Sequence, residues 1–205
     1  MDASIEASPK QIVDSTELAT LFPAGTRVYL TDIGTTPDAE LVAAAKALRD
    51  CGYVAVPHFA ARRMTSAAAL ANRLAALKGE ADVCEALVIA GGLDTPAGPF
   101  ASSMDLLRTG AFETRGFTHI AIAGHPEGSP DITEDGIADA LRWKTEWAED
   151  RGVELRIVTQ FGFDAPKFIR WAERLRLEGV TLPIHLGVSG PAKITTLVKY
   201  AAMCG

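Results

Sequence analysis

Six short apolar runs recur along this chain, and no other feature restricts its fold as tightly. They are Arg27–Thr31 (RVYLT), Tyr53–Phe59 (YVAVPHF), Ala86–Ala90 (ALVIA), His119–Ala123 (HIAIA), Leu155–Thr159 (LRIVT) and Leu182–Val188 (LPIHLGV). Ile5 and its neighbours form a weaker candidate ahead of them. The runs are nearly continuous in apolar character, as strands buried on both faces must be. Helical segments lie between them. One over 37–50 follows Thr36 as its cap, has Pro37 at the first helical position and stops at Gly52. An Ala- and Leu-rich segment over 66–77 stops at Gly79, and a short piece over 103–109 stops before Gly110. A segment over 137–151 puts Ile137, Leu141 and Ala148 on one face and ends at Gly152. Another over 166–177 is capped by Asp164 and ends at Gly179, and a last one covers 192–203.

Strand then helix, repeated with short joints, means a parallel sheet with right-handed crossovers. A doubly wound sheet and a (β/α) barrel both satisfy the alternation. Seven strand candidates, each followed by a helix, favour the barrel. A complete eight-unit barrel usually runs to about 250 residues, and this chain has 205. The expectation is an α/β fold: a (β/α)8 TIM-type barrel lacking the eighth strand–helix unit in this chain. No linker, charge run or internal repeat divides residues 1–205, which read as a single barrel domain.

Composition removes several functional classes. The formal net charge of −6 offers no basic excess for phosphate neutralisation, so no nucleic-acid partner is expected. The start, Met1-Asp2-Ala3-Ser4, has neither the basic patch nor the apolar run of a secretory leader, and no apolar run is long enough for a membrane span. A cytoplasmic protein without membrane partners is expected, and a homo-oligomer is left open. Cys51, Cys84 and Cys204 fit neither a zinc motif nor a CxxC pair, and His58, His119, His125 and His185 show no HxH or HExxH spacing. No metal is expected. Arg62 and Arg63 form a local basic patch suited to a small anion.

In such a barrel the chemistry sits at the C-terminal ends of the strands. Those ends are polar here: Glu6, Thr31, Asp32, His58, Asp94, His125, Glu127, Gln160 and Ser189. Each alone has an ordinary explanation. Glu6 is either an exposed acid near a terminus or a general acid whose pKa a pocket raises. His58 is either a structural histidine closing a strand or a catalytic one. The loop from Gly91 to Gly98 is either a Gly/Pro turn or a place where a ligand approaches the backbone, with Asp94 set to orient a ring nitrogen or ribose hydroxyl. It matches neither GxGxxG nor a Walker loop. Gln160 precedes Phe161-Gly162-Phe163, and an amide beside aromatics suits a flat heterocycle. Trp143, Trp147 and Trp171 lie on helices, where packing is the simpler role.

Five segments in order resemble the methylenetetrahydrofolate reductase family, whose fold is a (β/α)8 barrel. SIEASPK (4–10) resembles the family's opening strand, VPHF (56–59) its Pro-His strand end, and VIAGGLDTPAG (88–98) its Gly-Asp-Pro loop. IAGHPEGSPD (122–131) resembles its Pro-Glu loop and VTQFGFD (158–164) its Thr-Gln-Phe-Phe-Asp signature. The resemblance implies reduction of 5,10-methylenetetrahydrofolate to 5-methyltetrahydrofolate by NADH or NADPH, with FAD as the family's cofactor. It implies that Glu6 and Asp94 are catalytic and that Gln160, Thr196 and Tyr200 bind folate. It places Thr31, His58, Gly92, His125, Ser129 and Lys144 toward the cofactor. The chain departs from the family pattern at Gly91, Leu93, His125, Ser129 and Thr196, mostly on the flavin side. Direct hydride transfer from a nicotinamide to the folate is therefore an alternative, with Arg62 and Arg63 holding a phosphate. Two further alternatives are a pterin or one-carbon transferase on the same barrel, and a non-catalytic barrel that binds folate or a partner.

Overall fold

The structure is a computed structural model and describes residues 3–32, 34, 36–129, 132–190 and 192–198. Seven strands follow one another in chain order: β1 (Ile5–Ala7), β2 (Arg27–Leu30), β3 (Val54–Ala60), β4 (Glu85–Ile89), β5 (His119–Gly124), β6 (Glu154–Phe161) and β7 (Ile184–Gly187). The pairs β1–β2, β2–β3, β3–β4 and β6–β7 are parallel. A doubly wound sheet reverses its strand order at a switch point. Here the order never reverses, which is the connectivity of a (β/α) barrel with seven strands among the described residues. All the expected strands form, including the weak first one. The described residues group into two compact units, Met1–Ile120 and Ala121–Gly205.

In the first unit, β1 to β4 are joined by α1 (Pro9–Val13), α2 (Leu18–Leu21), α3 (Asp38–Asp50), a 3-10 turn (Ala61–Arg63) and α4 (Ala67–Ala81). After β4 come α5 (Ser103–Arg108) and α6 (Ala111–Thr114). The register sets two faces. Glu6 aligns with Tyr29 and Tyr29 with Val56, while His58 aligns with Leu87. Side chains alternate along a strand, so Phe59 and its neighbours Val88 and Leu30 leave on the other side. That side is the helix side: Phe59 is fully buried and meets Phe112 and Phe117 edge-on at 5.1 and 6.2 Å. Glu6, Tyr29 and His58 therefore stand on the face turned away from these aromatics. Near the N-terminal ends of the strands, Arg27 Nε donates to both carboxylate oxygens of Glu85, at 3.3 and 3.0 Å.

The second unit carries α7 (Glu134–Arg151) between β5 and β6, and α8 (Ala165–Leu177) between β6 and β7. Residues 194–198 are helical. Trp171 of α8 and Ile157 of β6 press on Gly124 so closely that an added Cβ would lie 2.5 Å from Ile157 Cγ2 and 2.8 Å from Trp171 Cη2. The β6–β7 register shifts between Val158 and Phe161, and the Gly187 N–H donates to Thr159 Oγ1 at 2.9 Å across that irregularity.

Several helix boundaries differ from the expectation. Pro37 is the extended N-cap of α3 rather than its first helical residue, and Asp38 and Glu40 supply the first-turn acids that complement the helix dipole. Helix α4 does not stop at Gly79. It continues to Ala81, because Leu77 and Ala81 are buried, and ends at Asp82 in a left-handed conformation (φ 49°). The buried face of α7 holds Lys144, Trp147 and Ala148, whereas Ile137 and Leu141 are only half-buried. The short helices α1 and α2 were not foreseen; Ser8 and Gln11 form a capping box that opens α1. No helix among the described residues is long and apolar enough to cross a membrane.

Candidate functional site

Within the first unit, the structure brings Glu6 and His58 together. Parallel pairing of three strands puts both on the face away from the helices, and His58 Nε2 lies 4.0 Å from Glu6 Oε2. The Glu6 side chain keeps 63% of its surface open. It nevertheless sits within enough surrounding protein that desolvation raises its pKa above the ordinary carboxyl value. Immediate contact with solvent and a protein-rich wider surround coexist at a strand end.

His58 is the opposite case. It is buried, and desolvation pushes its pKa down to about 4, with the nearby charge of Asp32 pulling weakly upward. It is neutral at physiological pH. The Tyr29 ring meets its imidazole edge-on at 6.2 Å. Among the described residues its Nε2 has no hydrogen-bond partner.

Asp32 was grouped with the strand-end residues on sequence grounds, and its carboxylate is already committed. Arg73 Nη1 donates to Asp32 Oδ2 at 2.6 Å, and the Gly34 N–H donates to Oδ1 at 2.7 Å. Arg73 also donates to Asp38 at 2.7 Å. Thr31, half-buried, follows β2 directly, and its N–H donates to the Ala7 carbonyl at 3.1 Å.

The loop after β4 is held from below. Gly91 takes φ +85°, and a Cβ there would lie 3.0 Å from Ala60 Cβ. Arg62 donates to the carbonyls of Leu93 and Ala101 at 3.2 and 3.0 Å. These bonds engage Nε and Nη1, so the Arg62 guanidinium braces the loop. Arg63 packs closely against Gly34. Gly92 and Asp94 are exposed on the loop, and the Asp94 carboxylate makes no hydrogen bond or ion pair among the described residues.

In the second unit, a cleft of about 120 Å³ is lined by His125, Pro126, Glu127, Gln160, Phe161 and Phe163, among others. Gln160 is exposed, and its Oε1 accepts from the Phe161 N–H at 3.0 Å. Phe161 and Phe163 meet edge-on at 5.8 Å. His125 has its pKa lowered by burial and then by the charge of Lys144. Lys144 is only 8% exposed, makes no hydrogen bond or ion pair among the described residues, and has its pKa pushed down to about 8 by desolvation. Ser129 and Thr196 are half-buried in this unit. Tyr200 lies outside the described residues.

Sequence reasoning missed Tyr29 and Arg73. A run buried on both faces does not announce which residues share a face, so Tyr29 gave no signal. Arg73 did give one, as the only charge between Ala67 and Leu77. Among the described residues no cluster of three histidine, cysteine or acidic side chains is placed to hold a metal.

No family model matches the chain. Methylenetetrahydrofolate reductase (NADH) 1 of Arabidopsis thaliana is 29% identical over 113 residues, which is 52% of this chain and 19% of that protein. Methylenetetrahydrofolate reductase 1 of Schizosaccharomyces pombe (strain 972 / ATCC 24843) is 39% identical over 70 residues, 34% of this chain and 11% of that protein. The matched stretches thus span less than a fifth of either relative. A D-psicose 3-epimerase structure with D-fructose aligns at a TM-score of 0.45 and 11% identity, covering 96% of this chain and 89% of that one. A metagenomic short-chain oxidoreductase with NADP aligns at 0.39 and 16% identity, covering 93% and 97%. Structural likeness this slight bears on neither fold nor function. These two sequence similarities are to stretches of methylenetetrahydrofolate reductases.

Proposed function

We propose that this chain is an oxidoreductase of the methylenetetrahydrofolate reductase type. The observation that carries the reading is the Glu6 carboxyl: a strand-end acid with a raised pKa, beside a buried neutral histidine, on the face turned from the helices. Partial similarity to two such reductases supports it.

In this reading a reduced nicotinamide is the hydride source. Protonated Glu6 gives its proton to N10 of 5,10-methylenetetrahydrofolate. The bond between N10 and the bridging carbon breaks, leaving an iminium on N5. Hydride adds to the exocyclic methylene, the nicotinamide is oxidised, and 5-methyltetrahydrofolate results. The acid must be protonated near neutral pH, which desolvation favours. Gln160 offers amide donors to the pterin edge, and Phe161 and Phe163 offer apolar surface. Asp94, exposed and uncommitted, orients the pterin. Thr196 and Tyr200 complete the folate contacts.

Lys144 and His125 fit an anionic cofactor: the ammonium is buried without a counter-charge among the described residues, and the imidazole is neutral. They would hold the anionic portion of FAD or of a dinucleotide, with Thr31, His58, Gly92 and Ser129 as further cofactor contacts. FAD, when bound, would accept hydride from the nicotinamide and pass it on.

The test is oxidation of NADH and of NADPH by purified protein, with and without 5,10-methylenetetrahydrofolate and added FAD. The reading expects folate-dependent nicotinamide oxidation and 5-methyltetrahydrofolate as product. Folate turnover that ignores the nicotinamide would assign a one-carbon transferase instead. Folate binding without turnover would assign a binding protein.

A further inference from the structure

We infer that His58 is the positioning residue of the Glu6 acid: its Nε2 is the acceptor on which the Glu6 carboxyl O–H rests, so that the two side chains hold one proton as a neutral pair. This deepens the reading of Glu6 as the acid and rests on it.

The geometry gives a fixed acceptor and a mobile donor. His58 sits in the seven-residue strand β3, is 8% exposed, and has the Tyr29 ring edge-on against it. It cannot move far. Its Nε2 is buried without a partner, and a buried polar atom left unpaired is costly enough that native proteins rarely keep one. Glu6 has three side-chain torsions and is 63% open. Its Oε2 is 4.0 Å from Nε2, roughly an ångström beyond hydrogen-bond range, and a torsional adjustment closes that gap.

The charge states select the same pairing. The titratable and charged groups facing His58 among the described residues of its unit are Glu6 from β1, Tyr29 from β2 and Asp32 after β2. Arg73 of α4 stands behind Asp32. Asp32 favours an imidazolium, but Arg73 and the Gly34 N–H already satisfy it. Burial keeps the imidazole neutral. An imidazolium on His58 would set a charge in buried surroundings. A carboxylic acid donating to a neutral imidazole sets none there, and hydrogen bonding to the neutral form of an acid favours that form. The imidazole proton then resides on Nδ1. The consequence for the reaction is a stored proton: the acid is held protonated on this face until N10 replaces the imidazole as its acceptor.

The experiment needs no substrate. Protein labelled with ¹⁵N in histidine and ¹³C at glutamate carboxyls is titrated by NMR. Below the Glu6 midpoint, His58 Nε2 should resonate as an unprotonated, hydrogen-bonded nitrogen, and its shift should move with the Glu6 midpoint. In His58→Phe, which keeps an apolar ring and removes the acceptor, the Glu6 midpoint should fall by about one pH unit. His58→Gln, which restores an acceptor, should recover most of that shift. An Nε2 that carries the proton throughout, or stays still across the Glu6 titration, overturns the inference in the wild-type protein alone. An unchanged or raised Glu6 midpoint in folded His58→Phe does the same, because a purely packing ring would only deepen the desolvation. Failure of the functional reading looks different: the coupled titration persists while 5,10-methylenetetrahydrofolate is not reduced.

Discussion

Replacing Lys144 by Met should make the protein more stable at neutral pH, and the gain should vanish in alkali. Lys144 lies on the buried face of α7 with Trp147 and Ala148, without a hydrogen bond or ion pair among the described residues. Desolvation lowers its pKa from about 10.5 to about 8. Below pH 8 the ammonium is charged in both folded and unfolded chains, and the folded chain bears the full cost of burying it. Between pH 8 and 10.5 the unfolded chain binds more protons than the folded one, so stability rises with pH. One pKa unit corresponds to about 1.4 kcal/mol, so the full cost below pH 8 is about 3 kcal/mol, good to its order of magnitude. Met has a similar unbranched length and no charge. The variant should therefore gain up to about 3 kcal/mol at pH 7, shrinking toward zero above pH 10. Urea unfolding of both proteins at pH 7, 8, 9 and 10 measures the difference, and subtraction removes every other titrating group. A variant no more stable than wild type at pH 7, or a difference flat across the range, refutes the reasoning. The same variant should bind FAD or a nicotinamide dinucleotide more weakly, since the buried charge is then absent.

Arg73→Ala leaves the nearly enclosed Asp32 carboxylate with only the Gly34 N–H. Breaking such a pair costs roughly 3–5 kcal/mol when the remaining charge is buried, and urea unfolding should show a loss near the lower end. Gly91→Ala meets both a positive φ and a Cβ contact at 3.0 Å with Ala60. It should cost about 1–2 kcal/mol for the left-handed backbone alone, and should weaken folate binding by displacing the loop that carries Asp94; thermal melts and folate titration check the two parts.

The strands were legible because parallel strands covered on both faces must be apolar throughout, and runs such as YVAVPHF and ALVIA have no other good use. The faces were not legible for the same reason: strand-end polarity grouped Glu6 with His58, but without alternation nothing marked Tyr29 as sharing their face. Gly79 looked like a helix stop, yet burial of Leu77 and Ala81 outweighs a glycine cost of about 1 kcal/mol within a helix. The stop came from Asp82 instead. Ile137 and Leu141 are apolar yet only half-buried on α7, while Lys144 goes inward beside Trp147 and Ala148, a placement hydropathy cannot anticipate. Arg62 was read as free cationic surface, but its bonds to Leu93 and Ala101 depend on the path of a loop some thirty to forty residues away. Strand-end polarity and ordered motifs singled out Glu6, His58, His125 and Gln160. Their burial and pairing came only from the folded register.

The central claim is that Glu6 is the acid of a folate reduction. The most direct measurement compares wild type with Glu6→Gln in nicotinamide-dependent reduction of 5,10-methylenetetrahydrofolate, with folate affinity determined for both by titration. Gln keeps the size and hydrogen-bonding capacity of the side chain and removes the proton to be donated. Turnover should fall by roughly 10²–10⁴-fold, the usual worth of a general acid, with folate affinity nearly unchanged. Wild-type turnover in Glu6→Gln would contradict the claim.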